Sequence, residues 1–407
     1  MVNLDRRTSR NNLRSLVWHA GFLALAQNFI DIDTVIPAMM VESGGTALHI
    51  GILTAIMLGG SSFTQLFFAP FISNFSFKKK FLLLGINSRM LALLAMGLML
   101  FFNAYISNDY RILLIFVLIS IFSLGGAFAN ISYTDILGKS ILQESRKSFF
   151  SIRQVISGLI LIGSVFLARK VLVGSAFPQN YAYMFFIGFI ALSIASLGFW
   201  NLRESVSSKL SVRSPAHFLT LIRKELKENP KLGNFLGFIN TMGISIGLMP
   251  FVILYAKDTF GTASSDTANF LLYKVIGSVF MGLLLFVMAS WFRYRNLLYL
   301  NALLAFLLPL LLMLIPGRPP FSLVFFVGGI IFATYTISMN GVLLEVSGTS
   351  NRALYTGIAG AGNILPALFP LLGGWLITAY GYYFFFILYM GVVVLSFYFI
   401  YKLKCQR

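Results

Sequence analysis

Apolar runs of about twenty residues, repeated from one end of the chain to the other, constrain this fold more than any other feature. Two stand for the rest: FLLLGINSRMLALLAMGLMLFF at 81–102 and YYFFFILYMGVVVLSFYFIY at 382–401. A helix rises ~1.5 Å per residue, so ~20 apolar residues cross a ~30 Å hydrocarbon core. The runs predict twelve membrane helices, over 15–41, 47–73, 81–104, 112–137, 150–172, 181–202, 234–256, 267–290, 296–316, 321–346, 353–379 and 382–402. Barrel strands would show ten-residue pieces of alternating character. These runs are continuous, so the expected class is all-α integral membrane and a barrel is excluded.

Charge agrees with that class. Only 11% of the 407 residues are charged and 58% are hydrophobic, where a soluble domain carries about 25% charged residues. The formal net charge of +18 would suit nucleic acid if it were gathered on a patch. Instead, with both termini inside, 23 of the 31 basic residues fall in inner segments, while five (Arg111, Arg169, Lys170, Lys257 and Arg318) fall outside. That asymmetry is the positive-inside rule. It predicts cytoplasmic termini in a cell (inner) membrane and argues against a nucleic-acid partner. The first apolar run is too long for a secretory signal, contains Asp31 and Asp33, and lacks a small-residue cleavage site, so it reads as a retained span. The single cysteine, Cys405, permits no internal disulfide, and His19, His49 and His217 are too scattered for a metal centre. No cofactor is implied.

The longest polar stretch between spans, 203–233, divides the chain into an N-terminal bundle (1–202) and a C-terminal bundle (234–407), each of six expected helices. Within it, SPAHFLTLIRKELKENP predicts an amphipathic surface helix, capped by Ser214 ahead of Pro215 and ended before Pro230. The halves echo each other. Asp135 closes the fourth span and Arg146 and Phe149 follow; Glu345 closes the tenth and Arg352 and Tyr355 follow. A six-plus-six repeat with acid–base pairs at equivalent inner corners is a transporter pattern.

On these features the chain resembles the major facilitator superfamily over essentially its whole length: twelve spans, an inner central loop, the basic loop NFSFKKK after span 2, and the paired corner charges. The resemblance implies two pseudo-symmetric six-helix bundles and alternating access. The signature motifs are degenerate. That family's loop after span 2 usually reads Gly-x-x-x-Asp-Arg-x-Gly-Arg-Arg. Here Ser73, Asn74 and Ser76 hold the Asp, Arg and Gly places, and only Lys78, Lys79 and Lys80 survive. The family's frequent arginine in span 4 is missing as well, which removes the mark of a typical proton-driven drug exporter.

A charge near the bilayer centre persists only when paired or facing water. Asp31, Asp33, Arg89, Arg153 and Lys274 are such charges. Residues two apart on a helix point ~200° from each other, so Asp31 and Asp33 share a cavity only if the helix breaks. Asp31 would share its face with Gln27, Asn28 and Thr34. Pro37 crowds the carbonyl of Asp33, four residues earlier, and predicts a kink there. Asp31 is then expected toward the solute path and is the first candidate for proton exchange, with Asp33 anchoring the kinked segment or facing a neighbouring span. Three roles stay open for Lys274: an ion pair with Asp31 that closes the outer gate, capture of an anionic solute group, or a snorkelling anchor. Arg89 is expected to hold a structural partner, and Arg153 to join the inner charge network of Lys78, Asp135, Arg146, Glu345 and Arg352.

Neutral polar residues predict a cavity lining: Asn130, Tyr133 and Thr134 in span 4, Asn240, Thr241 and Ser245 in span 7, Tyr335, Thr336 and Asn340 in span 10. Helix–helix hydrogen bonding is the alternative for each. Glycines 59, 60, 125, 126, 357, 360 and 362 are expected to serve helix packing. The phosphate-cradling loop is absent, since Gly138-Lys139-Ser140 has Tyr133 where that motif needs glycine. The expected protein is therefore no enzyme. It is a monomeric secondary transporter for a small solute, with or without proton coupling, in contact with membrane lipids. Efflux of lipophilic compounds, lipid translocation, and a non-transporting sensor or assembly factor are the competing readings.

Overall fold

Every element of the computed structural model is a helix, and no strand occurs among the described residues, which are 4–205, 215–288, 293–314, 318–347 and 352–403. In chain order the helices are α1 (Arg6–Gln27), α2 (Val35–Glu42), α3 (Ala47–Ser73), α4 (Lys79–Phe101), α5 (Asn108–Ser140), α6 (Gln143–Gly174), α7 (Gln179–Asn201), α8 (Pro215–Glu228), α9 (Pro230–Met242), α10 (Met249–Phe260), α11 (Ser264–Val287), α12 (Tyr294–Leu314), α13 (Arg318–Ser347), α14 (Arg352–Ala361) and α15 (Ile364–Leu403). Ten stretches among the described residues are long and apolar enough to cross a membrane. The amphipathic segment of the linker is helical as α8; its expected cap Ser214 and the lone Cys405 lie outside the described residues.

Three of the expected spans are not single helices. The first breaks after α1: a 3-10 turn over Asn28–Ile30 leads to Asp31 in extended backbone (φ −61°, ψ 124°), and the helix resumes at Val35. Asp, Asn and β-branched residues fill NFIDIDT, and all are weak helix formers. The proline acts differently from the kink expected of it. Because the restart lies upstream, Pro37 sits in the first turn of α2, where its missing N–H has no bond to lose. The seventh span repeats the device with a 3-10 turn at Gly243–Ser245 and a restart at Met249, next to Pro250. The eleventh is interrupted at 362–363 and resumes two residues ahead of Pro366. Farther along α15, Gly381 holds φ 81°, a left-handed conformation that glycine adopts without strain, so this 40-residue run is two helices meeting at a kink.

Packing contacts gather the chain into two compact units. The first holds Met1–Asp31 and Phe63–Leu219; the second holds Ile32–Ser62 and Thr220–Arg407. The chain thus crosses between units inside the first break, and residues 32–62 pack with C-terminal helices rather than with the rest of the N-terminal sequence. In the first unit α4 packs on α5 and α7, and α1 on α6 and α7. In the second unit α11 packs on α13, α9 on α15, and α2 on α10 and α11.

Small residues let helices approach closely where the packing is tightest. A side chain at Gly277 would run into the carbonyl of Phe326, and one at Gly329 into the carbonyl of Lys274. The α11–α13 crossing therefore has no room for a methyl group, whereas Gly282 on the same helix faces open space. Of the glycines expected to serve packing, Gly125 does so against Gly85 and Ser88, while nothing surrounds Gly126. We expect Gly329→Val to lower stability by about 1–3 kcal/mol through overpacking, and Gly282→Ala to leave it unchanged or slightly higher. Thermal unfolding of the detergent-solubilised protein, followed by circular dichroism, checks both.

Candidate functional site

The first break decides where its acids go. Once the backbone leaves the helix, the 200° separation of Asp31 and Asp33 no longer holds. Asp33 turns into the second unit, where its Oδ2 lies 2.5 Å from Nζ of Lys274 on α11. Both side chains are nearly out of contact with solvent, at 4% and 8% exposure. The ring of Phe332 on α13 adds a face 5.4 Å from the ammonium. Of the three roles open to Lys274, the ion pair is the one seen, but its partner is Asp33 rather than the expected Asp31. Asp31 is half-buried and is the last residue of the first unit.

Around Asp33 the second unit closes a narrow cleft, lined by Ser245 and Ile246 from the second break and by Met249, Leu308, Ile331 and Phe332. Its free volume, about 10 Å³, admits no solute; a single water needs roughly that much. The Ser245 hydroxyl is buried there with no hydrogen-bond partner. The third interruption is close by, since Gly243 stands against Pro366, Asn363 and the hydroxyl of Tyr335. A buried ion pair and two broken helices thus meet in one packed place. The arrangement sets a carboxylate against an ammonium with room for at most a single water, so it is not a solute pocket in this conformation.

Several expected lining residues prove to be engaged with the backbone. Asn240 stitches the third break: its Nδ2 donates to the carbonyl of Gly362 (2.7 Å), and its Oδ1 accepts from the amides of Ile364 (3.1 Å) and Leu365 (2.8 Å). It caps α15 from a neighbouring helix. Thr241 is buried and bonds the carbonyl of Gly237 on its own helix. Tyr335 is buried and stacks near Phe238. The polar stripe expected along the first span is also split: Gln27 is exposed, while Asn28 donates to Leu161 O (2.8 Å) and Ser164 Oγ (2.7 Å) of α6. Asn130 and Asn340 are exposed, and Tyr133 is half-buried, its ring 6.3 Å from that of His19.

Where α4, α5 and the segment after α7 meet, the first unit holds a dense charge cluster. Asp135 Oδ2 accepts from Lys78 Nζ (2.9 Å) and Lys139 Nζ (2.7 Å), and Lys139 also reaches Glu204 (2.7 Å). Glu204 accepts from the backbone amides of Lys78 and Lys79 as well, at 2.8 Å each. Asn12 of α1 bonds the carbonyls of Ser140 and Arg203 and the amide of Arg203. Sequence reasoning missed Glu204, Lys139 and Asn12 as members. The one signal was Glu204 standing directly after span 6, where a linker charge reads as solvated. Arg153 takes no part in this cluster: it makes no hydrogen bond or ion pair among the described residues. Arg89 lies over the ring of Phe122 (4.2 Å). Glu345 is half-buried at the end of α13. The side chains of Arg146 and Arg352 lie outside the described residues.

The Major Facilitator Superfamily model matches residues 17–363. A comparison with curated proteins finds no match. Among solved structures, the nucleoside transporter NupG superposes with a TM-score of 0.69 at 15% identity, over 97% of this chain and 100% of that one. A POT family transporter bound to a thioalcohol-conjugated peptide gives 0.70 at 11% identity, over 97% and 96%. A D-xylose–proton symporter gives 0.68 at 14% identity, over 97% and 99%. At such identities the likeness speaks for the fold alone.

Removing one partner of a buried ion pair leaves an uncompensated charge, at a cost of ~3–5 kcal/mol. Lys274→Met alone is expected to destabilise the protein by about that much, and adding Asp33→Asn should recover most of the loss. A thermal-unfolding double-mutant cycle measures the coupling. Additive effects would mean that the two side chains do not depend on each other.

Proposed function

The chain belongs to the major facilitator superfamily, and from that premise we propose that it is a secondary transporter moving a small solute by alternating access. Twelve spans support the mechanism: the ten apolar stretches, the second helix at the Gly381 kink, and α3, whose 27 residues are enough to cross. We read them as two pseudo-symmetric halves, 1–202 and 234–407, joined by the cytoplasmic linker 203–233. Both termini are cytoplasmic and the inner membrane is the location. The working unit is a monomer. The repeat is supported by the first and seventh spans, which break alike: a 3-10 turn, a short non-helical step, and a restart with proline in its first turn.

One observation carries the reading, the buried Asp33–Lys274 pair where a broken helix meets the second unit. Broken helices at bilayer depth are where transporters bind and gate. Lys274 holds α2 on α11 while Asp33 is ionised. Protonating that carboxylate removes the attraction and frees α2 together with the 32–62 segment. A proton would then drive a mechanical step, and Asp31, at the rim of the same break, is the second carboxylate that can receive it. In this reading Gln27, Asn130 and Tyr133 of the first unit are the polar residues offered to the solute, with Asn340 exposed in the second unit. The cluster of Lys78, Asp135, Lys139 and Glu204 secures the inner corner.

A second reading, export of lipophilic compounds, has one observation in its favour. An apolar groove of about 530 Å³ runs between α1 and α6, lined by Trp18, Phe22, Ile152, Ile156 and Ile160. Reconstitution separates the two. Proteoliposomes would be loaded in turn with labelled nucleosides, dipeptides, pentoses and a lipophilic cation, the first three chosen from the structural relatives. Counterflow of one polar solute, with accumulation driven by an inward proton gradient, is expected. Asp33→Asn should cut the driven accumulation at least tenfold while exchange persists. Flux of the lipophilic cation alone would favour export, and no flux of any probe from folded protein would sink transport.

A further inference from the structure

Unit one carries two positive charges in its spans that no carboxylate answers. Arg89 stands about ten residues from the end of α4 at Lys79, ~15 Å along its axis, and Arg153 lies within about one turn of the start of the apolar part of α6. Among the described residues neither makes an ion pair or a hydrogen bond, and Nε of Arg89 is buried with no acceptor. Arg89 has only the Phe122 ring beneath it. Three acids of this unit are engaged elsewhere: Asp135 and Glu204 hold lysines, and Asp5 caps α1.

Arg153 lies against α1. Ser157, one turn beyond Arg153 on the same face of α6, contacts the carbonyl of Ala20 on α1 (3.4 Å), which sets Arg153 against the α1 turn that carries His19. His19 is fixed by Ala195 O (3.2 Å) and stacks on Phe199 at 3.7 Å. Both arginines are near enough to act on it electrostatically, and Arg153 acts on Tyr133 too. Arg89, Tyr133 and Arg153 all remain partly accessible, and next to Tyr133 the Asn130 and Thr134 positions are exposed.

We infer that Arg153, with the Tyr133 phenol beside it and the ring of His19 as a wall, forms an anion site that takes a carboxylate or phosphate group. An intramembrane charge persists where it is paired or wet, and a guanidinium forks onto these two oxyanions with two parallel hydrogen bonds. The phenol of Tyr133 supplies a further donor. The inference deepens the transport reading by giving the solute an acidic group, but binding itself does not depend on flux.

The full-length protein in detergent would be titrated with inorganic phosphate and with succinate at constant ionic strength, chloride balancing, and binding read by thermal shift and calorimetry. Saturable binding of either anion is expected, and which one binds distinguishes phosphoryl from carboxylate solutes. Arg153→Gln should weaken it at least tenfold, and Tyr133→Phe three- to tenfold. Arg223→Gln, on exposed α8, should leave it unchanged. Arg153→Lys, which keeps the charge but loses the fork, carries the test if Arg153→Gln does not fold; it too should bind more weakly. The inference is overturned if neither anion stabilises the wild type, or if the Arg153 and Tyr133 variants bind as the wild type does. Anion binding without flux would count against transport and leave this site standing. Flux of a neutral solute by a protein that binds no anion would do the reverse.

Discussion

Backbone hydrogen bonding inside hydrocarbon is the constraint on which this structure depends. Lipid offers no partner for an N–H or a C=O, so a spanning helix can open only where protein supplies the missing bonds. The second and third interruptions show that supply. At the second break the chain tightens into short-range bonds, Ile246 N to Gly243 O (3.2 Å) and Gly247 N to Ile244 O (3.0 Å). At the third, Asn240 accepts from two amides of the new helix and donates to the last carbonyl before it. At the first, Asn28 ties the end of α1 to α6, and Ala38 N to Thr34 O (3.0 Å) starts α2. With the backbone satisfied locally, side chains near the breaks are released from helical register.

That release places the acid. On a continuous helix Asp33 would face ~200° from Asp31 with no choice of depth. Off the helix it meets Lys274, and the pair is neutral as a whole while neither member is hydrated. Such a pair is held by geometry more than by net energy, because desolvation opposes the attraction. Small events then have large effects: a proton on the carboxylate, or water reaching the ammonium, changes the balance sharply. The crossing of α11 on α13 keeps that geometry stiff, since Gly329 lies directly on the Lys274 carbonyl. Packing and electrostatics therefore act at the same residue.

Much of this could be read from the chain, for identifiable reasons. Run length gave helices because hydrocarbon thickness sets a minimum that few other structures meet, and α3 to α7 lie within a few residues of the expected spans. The spacing of Asp31 and Asp33 also required a break if both were to be used. The place of the break was misjudged because Pro37 was read as the cause of a kink within a helix, whereas it begins a new one. The pairing of Lys274 followed from depth alone, which cannot tell Asp31 from Asp33, two residues apart. Asn240 was read as cavity lining because nothing in one sequence shows that a distant segment, 362–365, needs a cap. Nothing in one sequence marks Glu204 as a partner for amides 125 and 126 residues away.

The two units treat buried charge in opposite ways, and the contrast bears on the solute. In the second unit Lys274 is answered by Asp33, so an incoming anion would have to displace a carboxylate already in contact. Among the described residues of the first unit Arg153 and Arg89 have no such competitor, and beside them stand the Tyr133 phenol and the rings of His19 and Phe122. An anionic solute would find Lys274 closed and Arg153 open. Uncompensated charge in a membrane span is costly enough that its persistence needs a counterpart, and a solute that brings its own negative group provides one. On the reading proposed above, the pair at Asp33 concerns movement, and the cations of the first unit concern what is moved.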